Sequence, residues 1–207
     1  IHDVSQLGIE WLGLNFCPSD KRYVSQISSR AGIIPDYGSL KVDTSGNNRP
    51  KLCGIFKDDM PQNIVTCVYN FNLDIVQLDG EESPVMLDNL RRTIDPDIHA
   101  GIKIMKTISV RTREDINQYK PYVSSADYFL FDMQTSEDSS KDWTILNEYD
   151  GNIPFLLSGN IGIEDLSSIN DFSHTQFYGI NIDQKFEKEP AMKDITLLKT
   201  FLEGVRR

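Results

Sequence analysis

Asp127-Tyr-Phe-Leu-Phe-Asp132 is an apolar run that ends in a carboxylate, and the polar stretch Met133-Gln-Thr-Ser-Glu-Asp-Ser-Ser-Lys-Asp142 follows it. A run that is apolar on both faces reads as a strand covered on both sides, the usual state of a parallel sheet. In a parallel α/β barrel the loops at the C-terminal ends of the strands build the site. An Asp delivered there is therefore a candidate proton donor or acceptor. Its plainer role is to cap the loop that follows.

The same alternation of apolar run, polar loop and amphipathic stretch extends to both ends of the chain. The other strand-like runs are Trp11–Phe16, Leu52–Phe56, Leu73–Leu78, Ile102–Ile108, Ile153–Leu157 and Gln176–Ile180, with Tyr128–Phe131 among them in sequence order. Between them Met60–Asn70 carries Ile64, Val65, Val68 and Tyr69 at helical spacing, and Ser83-Pro84 reads as an N-cap with proline in the first turn. Thr112 reads as the cap of a helix through Tyr119, while Trp143–Tyr149 and Asp165–Phe172 read as short helices. Ile195–Val205 closes the chain with Leu197, Leu198, Phe201 and Leu202 on one face. Ser25–Pro50 reads as a weak helix and a loop.

Strand-then-helix units of about 25–30 residues predict a parallel sheet. Ile1–Gly8 reads as the second half of a helix stopped by Gly8, so the pattern predicts an eighth strand before Ile1. The fold expected is α/β: a single (β/α)8 TIM barrel over residues 1–207, with its first strand missing from the sequence as numbered. An open doubly wound sheet is the alternative, but no G-x-G-x-x-G or P-loop stands at any strand-to-helix turn.

Composition narrows the function. Of 207 residues, 39% are hydrophobic and 25% charged, as in a water-soluble domain, and the net charge of −10 argues against a nucleic-acid partner. No apolar run reaches the roughly 18–20 residues of a membrane span. Cys17, Cys53 and Cys67 fit neither a disulfide framework nor a metal knuckle, which points to a reducing cytoplasm. His2, His99 and His174 lie outside the strand ends and form no metal set, so they read as surface residues. No cofactor or metal is expected, and monomer and homodimer both fit.

In order, Trp11-Leu-Gly-Leu-Asn-Phe, Pro18-Ser-Asp-Lys-Arg-Tyr-Val24, Cys53-Gly-Ile-Phe56, Leu73-Asp-Ile-Val-Gln-Leu-Asp-Gly-Glu81, Phe129-Leu-Phe-Asp132, Pro154-Phe-Leu-Leu-Ser-Gly-Asn160, Gly179 to Glu187 and Met192-Lys-Asp194 resemble the phosphoribosylanthranilate isomerase family of tryptophan biosynthesis. The resemblance covers the whole chain. It implies an aldose-to-ketose isomerase that converts a small phosphorylated substrate, N-(5′-phosphoribosyl)anthranilate, by a cofactor-free Amadori rearrangement.

The resemblance also implies roles. Opening the furanose ring needs an acid at the ring oxygen, and loss of the C2′ proton needs a base. Asp132 matches the acid. The family's base is a cysteine in a Lys-x-Cys-Gly motif on the first strand, which the resemblance places before Ile1. Lys51-Leu-Cys-Gly54 looks similar but stands in the third strand's place, so Cys53 reads as a small core residue, as does Cys67. Cys17 falls near the barrel mouth where the family keeps no base. Arg22 matches the arginine that receives the anthranilate carboxylate, a task suited to a planar guanidinium. Gln77 reads as a polar group in the mouth, and Lys106 as a strand lysine. The phosphate is expected on Gly159, Asn160 and Gln184, after the last two strands.

Four places depart from the family pattern. Asp79 stands where a histidine is usual, Asn160 where a second glycine is usual, and the loop after Asp132 has lost its glycines. Asp183, with Lys185 as a compensating charge, replaces small residues in the last loop. Two added carboxylates near a dianionic substrate motivate the alternative of an impaired or inactive paralogue that keeps the barrel as a binding or structural protein. Another sugar-phosphate barrel enzyme is a weaker alternative, because the chain has no metal set for it.

Overall fold

The computed structural model describes residues 4, 6–25, 49–133 and 141–205. Seven strands form one parallel sheet in sequence order: β1 Trp11–Asn15, β2 Lys51–Phe56, β3 Ile75–Leu78, β4 Lys103–Val110, β5 Tyr128–Met133, β6 Phe155–Ser158 and β7 Phe177–Ile180. Each strand lies beside its sequence neighbour, as expected when a short crossover returns the chain to the same edge. The expected half-helix Ile1–Gly8 lies largely outside the described residues, although Gly8 has the positive φ of +68° suited to a helix stop. The expected weak helix and loop of Ser25–Pro50 also lies outside them, except for its ends.

The pleat sorts each strand into two faces. On the outer face Phe129, Phe131 and Met133 of β5 join a large cluster with Phe155, Leu157 and Phe201, while Phe56, Val76, Leu78 and Ile104 pack with Ile64, Leu87 and Leu90. Those last three come from helices α1 Pro61–Phe71 and α2 Pro84–Ile94. On the inner face Cys53, Ile75, Met105, Leu130 and Leu156, one from each of β2 to β6, form a separate cluster against Trp11 and Tyr128. The sheet curls far enough that Trp11 of β1 and Tyr178 of β7, on its two edge strands, bring their rings within 5.3 Å.

Local signals account for the connecting elements. Ser83 Oγ accepts from Met86 N at 3.3 Å and Pro84 opens α2. The stretch after Thr112 is a 3-10 helix, Arg113–Tyr122, rather than an α-helix; Asp115 closes a capping box on Thr112, and Pro121 inside the segment has no N–H to continue an α-helical ladder. Trp143–Glu148 is likewise 3-10. A short helix α3 Leu166–Asp171 and the closing helix α4 Ile195–Val205 flank a feature the sequence reading missed. It is an antiparallel ribbon of β8 Glu187–Glu189 and β9 Met192–Lys193.

Two expectations are corrected. Strand β5 runs on to Met133, so Asp132 lies within it rather than after it, paired in register with Ser109 and Ser158. His99 and His174 are half-buried rather than on the surface. His174 Nε2 lies 3.0 Å from the Tyr149 carbonyl with its ring against Phe155, and His99 is 3.9 Å from Asp74. His2 lies outside the described residues.

Candidate active site

The C-terminal ends of the strands gather the polar residues. Asp132 shares the inner face of β5 with Tyr128 and Leu130. Asp79, the first residue after β3, accepts from Thr107 Oγ1 at 2.5 Å and from Gln77 Nε2 at 2.8 Å. Gln77 is buried, as its inward alternation predicts, and its Oε1 lies 3.7 Å from Cys53 Sγ. Burial pushes the Asp79 carboxyl up from its ordinary range against these two hydrogen bonds, and the negative charge of Asp132 acts in the same direction as burial. Asp79 and Asp132 therefore face a common mouth. Asp79 meets it as a carboxyl already engaged by Thr107 and Gln77.

The loop after β6 is built for close approach. Gly159 has φ +118°, and a Cβ there would lie 2.5 Å from the carbonyl oxygen of Met133, so only glycine fits without moving the strand that carries Asp132. Asn160 follows with φ +48°. Lys141 Nζ donates to the Asn160 carbonyl at 2.5 Å and to Asp165 Oδ2 at 2.6 Å, and the same carboxylate oxygen accepts from Gly162 N at 2.8 Å. Asn181, after β7, donates through Nδ2 to Ser158 Oγ at 3.2 Å. Gly159 and Asn160 thus lie beside β5 in a fixed turn. Gln184 is exposed at the start of the 3-10 turn Gln184–Phe186.

The charge on Asp183 is balanced, though not by the residue the sequence suggests. Lys193 Nζ lies 3.1 Å from Asp183 Oδ1, and Arg22 Nε lies 3.3 Å from it. Lys185 pairs instead with Glu164. Arg22 sits on the loop after β1, where its own N–H donates to Asp20 Oδ1 at 2.7 Å. Its Nε donates to both carboxylate oxygens of Glu187, at 3.1 and 2.9 Å, and Nη1 makes only 3.4 Å contacts with Asp20. A carboxylate ligand would therefore meet this arginine at its Nη edge.

The three thiols are poor bases here. Cys53 is buried mid-strand in β2 and Cys67 is buried in α1, as core residues. Cys17 does lie at the mouth, but burial, with the charges of Asp79 and Asp20 adding to it, pushes its thiol from 9.0 up to about 11. Lys106 points away from the mouth. Its buried ammonium donates to the carbonyls of Leu78 and Gly80 at 3.0 and 2.6 Å and pairs with Glu82 at 3.1 Å, so it grips the backbone on both sides of Asp79. Among the described residues no group of His, Cys, Asp and Glu is placed to hold a metal ion, and no helix is long and apolar enough to cross a membrane.

The sequence reading missed Thr107, Lys141, Asn181, Glu187 and Lys193. The one available signal was position, since Thr107 falls at the inner alternation of β4 one register step from Leu78 and Lys106. The others are loop residues whose partners lie far away in sequence, and nothing local marks them.

The chain matches the model of the N-(5′-phosphoribosyl)anthranilate (PRA) isomerase family over residues 15–204. It is 32% identical to the N-(5′-phosphoribosyl)anthranilate isomerase of Parabacteroides distasonis, covering 99% of this chain and 87% of that protein. It is 31% identical to the corresponding protein of Phocaeicola vulgatus, covering 100% and 92%. Among solved structures, a phosphoribosyl anthranilate isomerase in complex with reduced 1-(o-carboxyphenylamino)-1-deoxyribulose 5-phosphate superposes with a TM-score of 0.75 at 21% identity, over 98% of this chain and 90% of that one. Monomers generated from the dimeric Thermotoga maritima enzyme give a TM-score of 0.76 at 21% identity, over 99% and 91%.

Proposed function

Because the chain belongs to the N-(5′-phosphoribosyl)anthranilate isomerase family, we infer that it catalyses the Amadori rearrangement of N-(5′-phosphoribosyl)anthranilate to 1-(2-carboxyphenylamino)-1-deoxyribulose 5-phosphate in tryptophan biosynthesis. The observation that carries this reading is the family match across residues 15–204. Two features of the mouth agree with it: a carboxyl on the inner face of β5, and beside it a turn that only glycine can make.

We assign Asp132 as the general acid at the furanose oxygen. Gly159, Asn160 and Gln184 are assigned to the phosphate, whose charge backbone N–H groups of such loops can receive. Arg22 is assigned to the aryl carboxylate, and Gln77 and Asp79 to the polar wall of the pocket, with Asp183 at its edge. A separate base must take the C2′ proton, and the settings of Cys17, Cys53 and Cys67 suit none of them to it. We propose that an eighth parallel strand, entering between β1 and β7, closes the barrel and carries the basic cysteine. The free pairing edges of those two strands within the described sheet, and the inward meeting of Trp11 and Tyr178, support that closure.

The inactive-paralogue alternative loses its main support. Asp183 is paired with Lys193 and Arg22, and Asp79 is held by hydrogen bonds from Thr107 and Gln77. The cytoplasm, suggested by three free cysteines, is the proposed compartment. Monomer and homodimer remain the two assembly states to separate by light scattering. The deciding experiment is turnover of N-(5′-phosphoribosyl)anthranilate by the full chain, together with rescue of a tryptophan auxotroph that lacks this isomerase. A rate at the level of the uncatalysed reaction, with no rescue, would overturn the reading.

A further inference from the structure

The loops that leave the two edge strands of the sheet are joined by an ion pair. Arg22 follows β1 and Glu187 follows β7, and the two strands share no backbone pairing. Yet Arg22 Nε is 2.9 Å from Glu187 Oε2 and 3.1 Å from Oε1. The Glu187 side chain is 6% exposed, so this contact is largely shielded from water. Glu187 is gripped from its other side. Lys193 stands opposite it in the β8–β9 ribbon, and Lys193 Nζ is 3.0 Å from Glu187 Oε1 while also donating to the Asp183 carbonyl at 3.1 Å. Burial alone would push the Glu187 carboxyl up, but the hydrogen bonds and charges of Lys193 and Arg22 outweigh it and hold it below its ordinary range, so Glu187 meets Arg22 as a carboxylate.

This geometry does something specific to the arginine. A guanidinium on a loop samples many rotamers, and a ligand that uses it must freeze them on binding. With Nε committed to a fixed carboxylate, the plane of the group is set beforehand. The Nη edge, which meets Asp20 only at 3.4 Å, is then held in one orientation, and a planar fork so held can receive a second carboxylate. Asp20, Asp183 and Glu187 also surround Arg22 and Lys193 with more negative than positive charge. Capture of an anionic aryl group here must then rest on geometry rather than on the local field.

We propose that Glu187 is a positioning residue of the isomerisation: by holding Nε across the seam between the edge strands it orients Arg22 toward the substrate's aryl carboxylate, and Lys193 anchors Glu187 for that task. The proposal rests on the assignment of Arg22 to that carboxylate. It is tested by steady-state kinetics of the full chain as wild type, E187A, R22M and the double variant E187A/R22M, with E187Q as a near-isosteric substitute should E187A fold poorly. The expected result is a KM raised about tenfold in E187A with kcat within about twofold, because binding rather than chemistry loses its preorganised group. R22M raises KM at least as much, and adding E187A to R22M changes nothing further, since Glu187 acts only through Arg22. Wild-type KM in E187A and E187Q beside a raised KM in R22M would overturn the proposal alone. Equal losses from E187A with and without Arg22 would also overturn it and leave Glu187 a merely structural residue. A wild-type KM in R22M would overturn the Arg22 assignment and the proposal with it.

Discussion

Replacing Gly159 with alanine perturbs, in one step, the turn proposed for the phosphate and the strand proposed to carry the acid. At φ +118° the backbone of Gly159 lies where side-chain-bearing residues are rarely found, and its new Cβ would sit 2.5 Å from Met133 O, 2.9 Å from Met133 Cβ and 3.0 Å from Met133 N. Two costs add. Holding a non-glycine residue in so sparse a region costs about 1–3 kcal/mol. Relieving an overlap with strand backbone, which cannot rotate aside as a side chain can, costs about a further 1–3 kcal/mol. The sum, about 2–6 kcal/mol, corresponds to a fall in melting temperature of roughly 5–20 °C for a chain of this size. Function should suffer with stability, because Met133 adjoins Asp132 and Asp132 pairs with Ser158, the residue before Gly159. Thermal unfolding and steady-state kinetics of G159A read both effects: KM rises as the turn moves and kcat falls as the acid shifts. Asn160→Gly is the control, since it removes a side chain from a residue at φ +48° and should leave stability within about 1 kcal/mol. A G159A protein that melts within about 1 °C of wild type and keeps its KM would refute the claim that this turn is built around a glycine.

Three further outcomes are expected. Asp132→Asn keeps the shape but cannot deliver a proton, so kcat should fall about 10²–10⁴-fold with KM little changed; a loss under about tenfold would remove Asp132 as the acid. Lys106→Met leaves the Glu82 carboxylate buried without its ammonium and deprives the Leu78 and Gly80 carbonyls of a donor, so urea unfolding should show a loss of about 3–5 kcal/mol, and an unchanged midpoint would count against that clamp. Burial, the largest cause in each case, raises Cys17 from 9.0 to about 11, Cys67 from 9.0 to about 12, and Tyr119 and Tyr149 from 10.0 to about 12. Because the folded values are raised, their contribution is whole below the unfolded values and is lost as pH climbs toward the folded ones. Stability should therefore decline from about pH 9 upward, and a flat profile to about pH 11 would contradict it.

Periodicity carried the architecture. Each of the seven strand-like runs read from the sequence has a counterpart in the sheet, and Ile195–Val205 has the bounds expected of it. Alternation along β3 placed Gln77 inside, and the position of Cys53 inside its strand rather than at the strand's C-terminal end marked that cysteine as core. Errors came where local signals compete. Asp132 was read as the end of its strand because a carboxylate interrupts an apolar run, yet the pairing of Met133 with Val110 carries β5 one residue beyond it. Lys106 was read without a partner because the carbonyls and the carboxylate it grips come from the loop after β3, more than twenty residues away.

The sequence by itself determined the parallel sheet, its helices, the family resemblance and the carboxylate on β5, because these rest on patterns repeated at two or 3.6 residues and on short motifs. Only the tertiary structure decided which charges neutralise each other. Asp183 answers to Lys193 and Arg22 rather than to Lys185, and Arg22 is turned by Glu187, which lies 165 residues away along the chain. Ion pairs act through space at a few ångströms and leave no periodic trace in the order of residues, so they become visible when the sheet curls and brings the loops of its edge strands together.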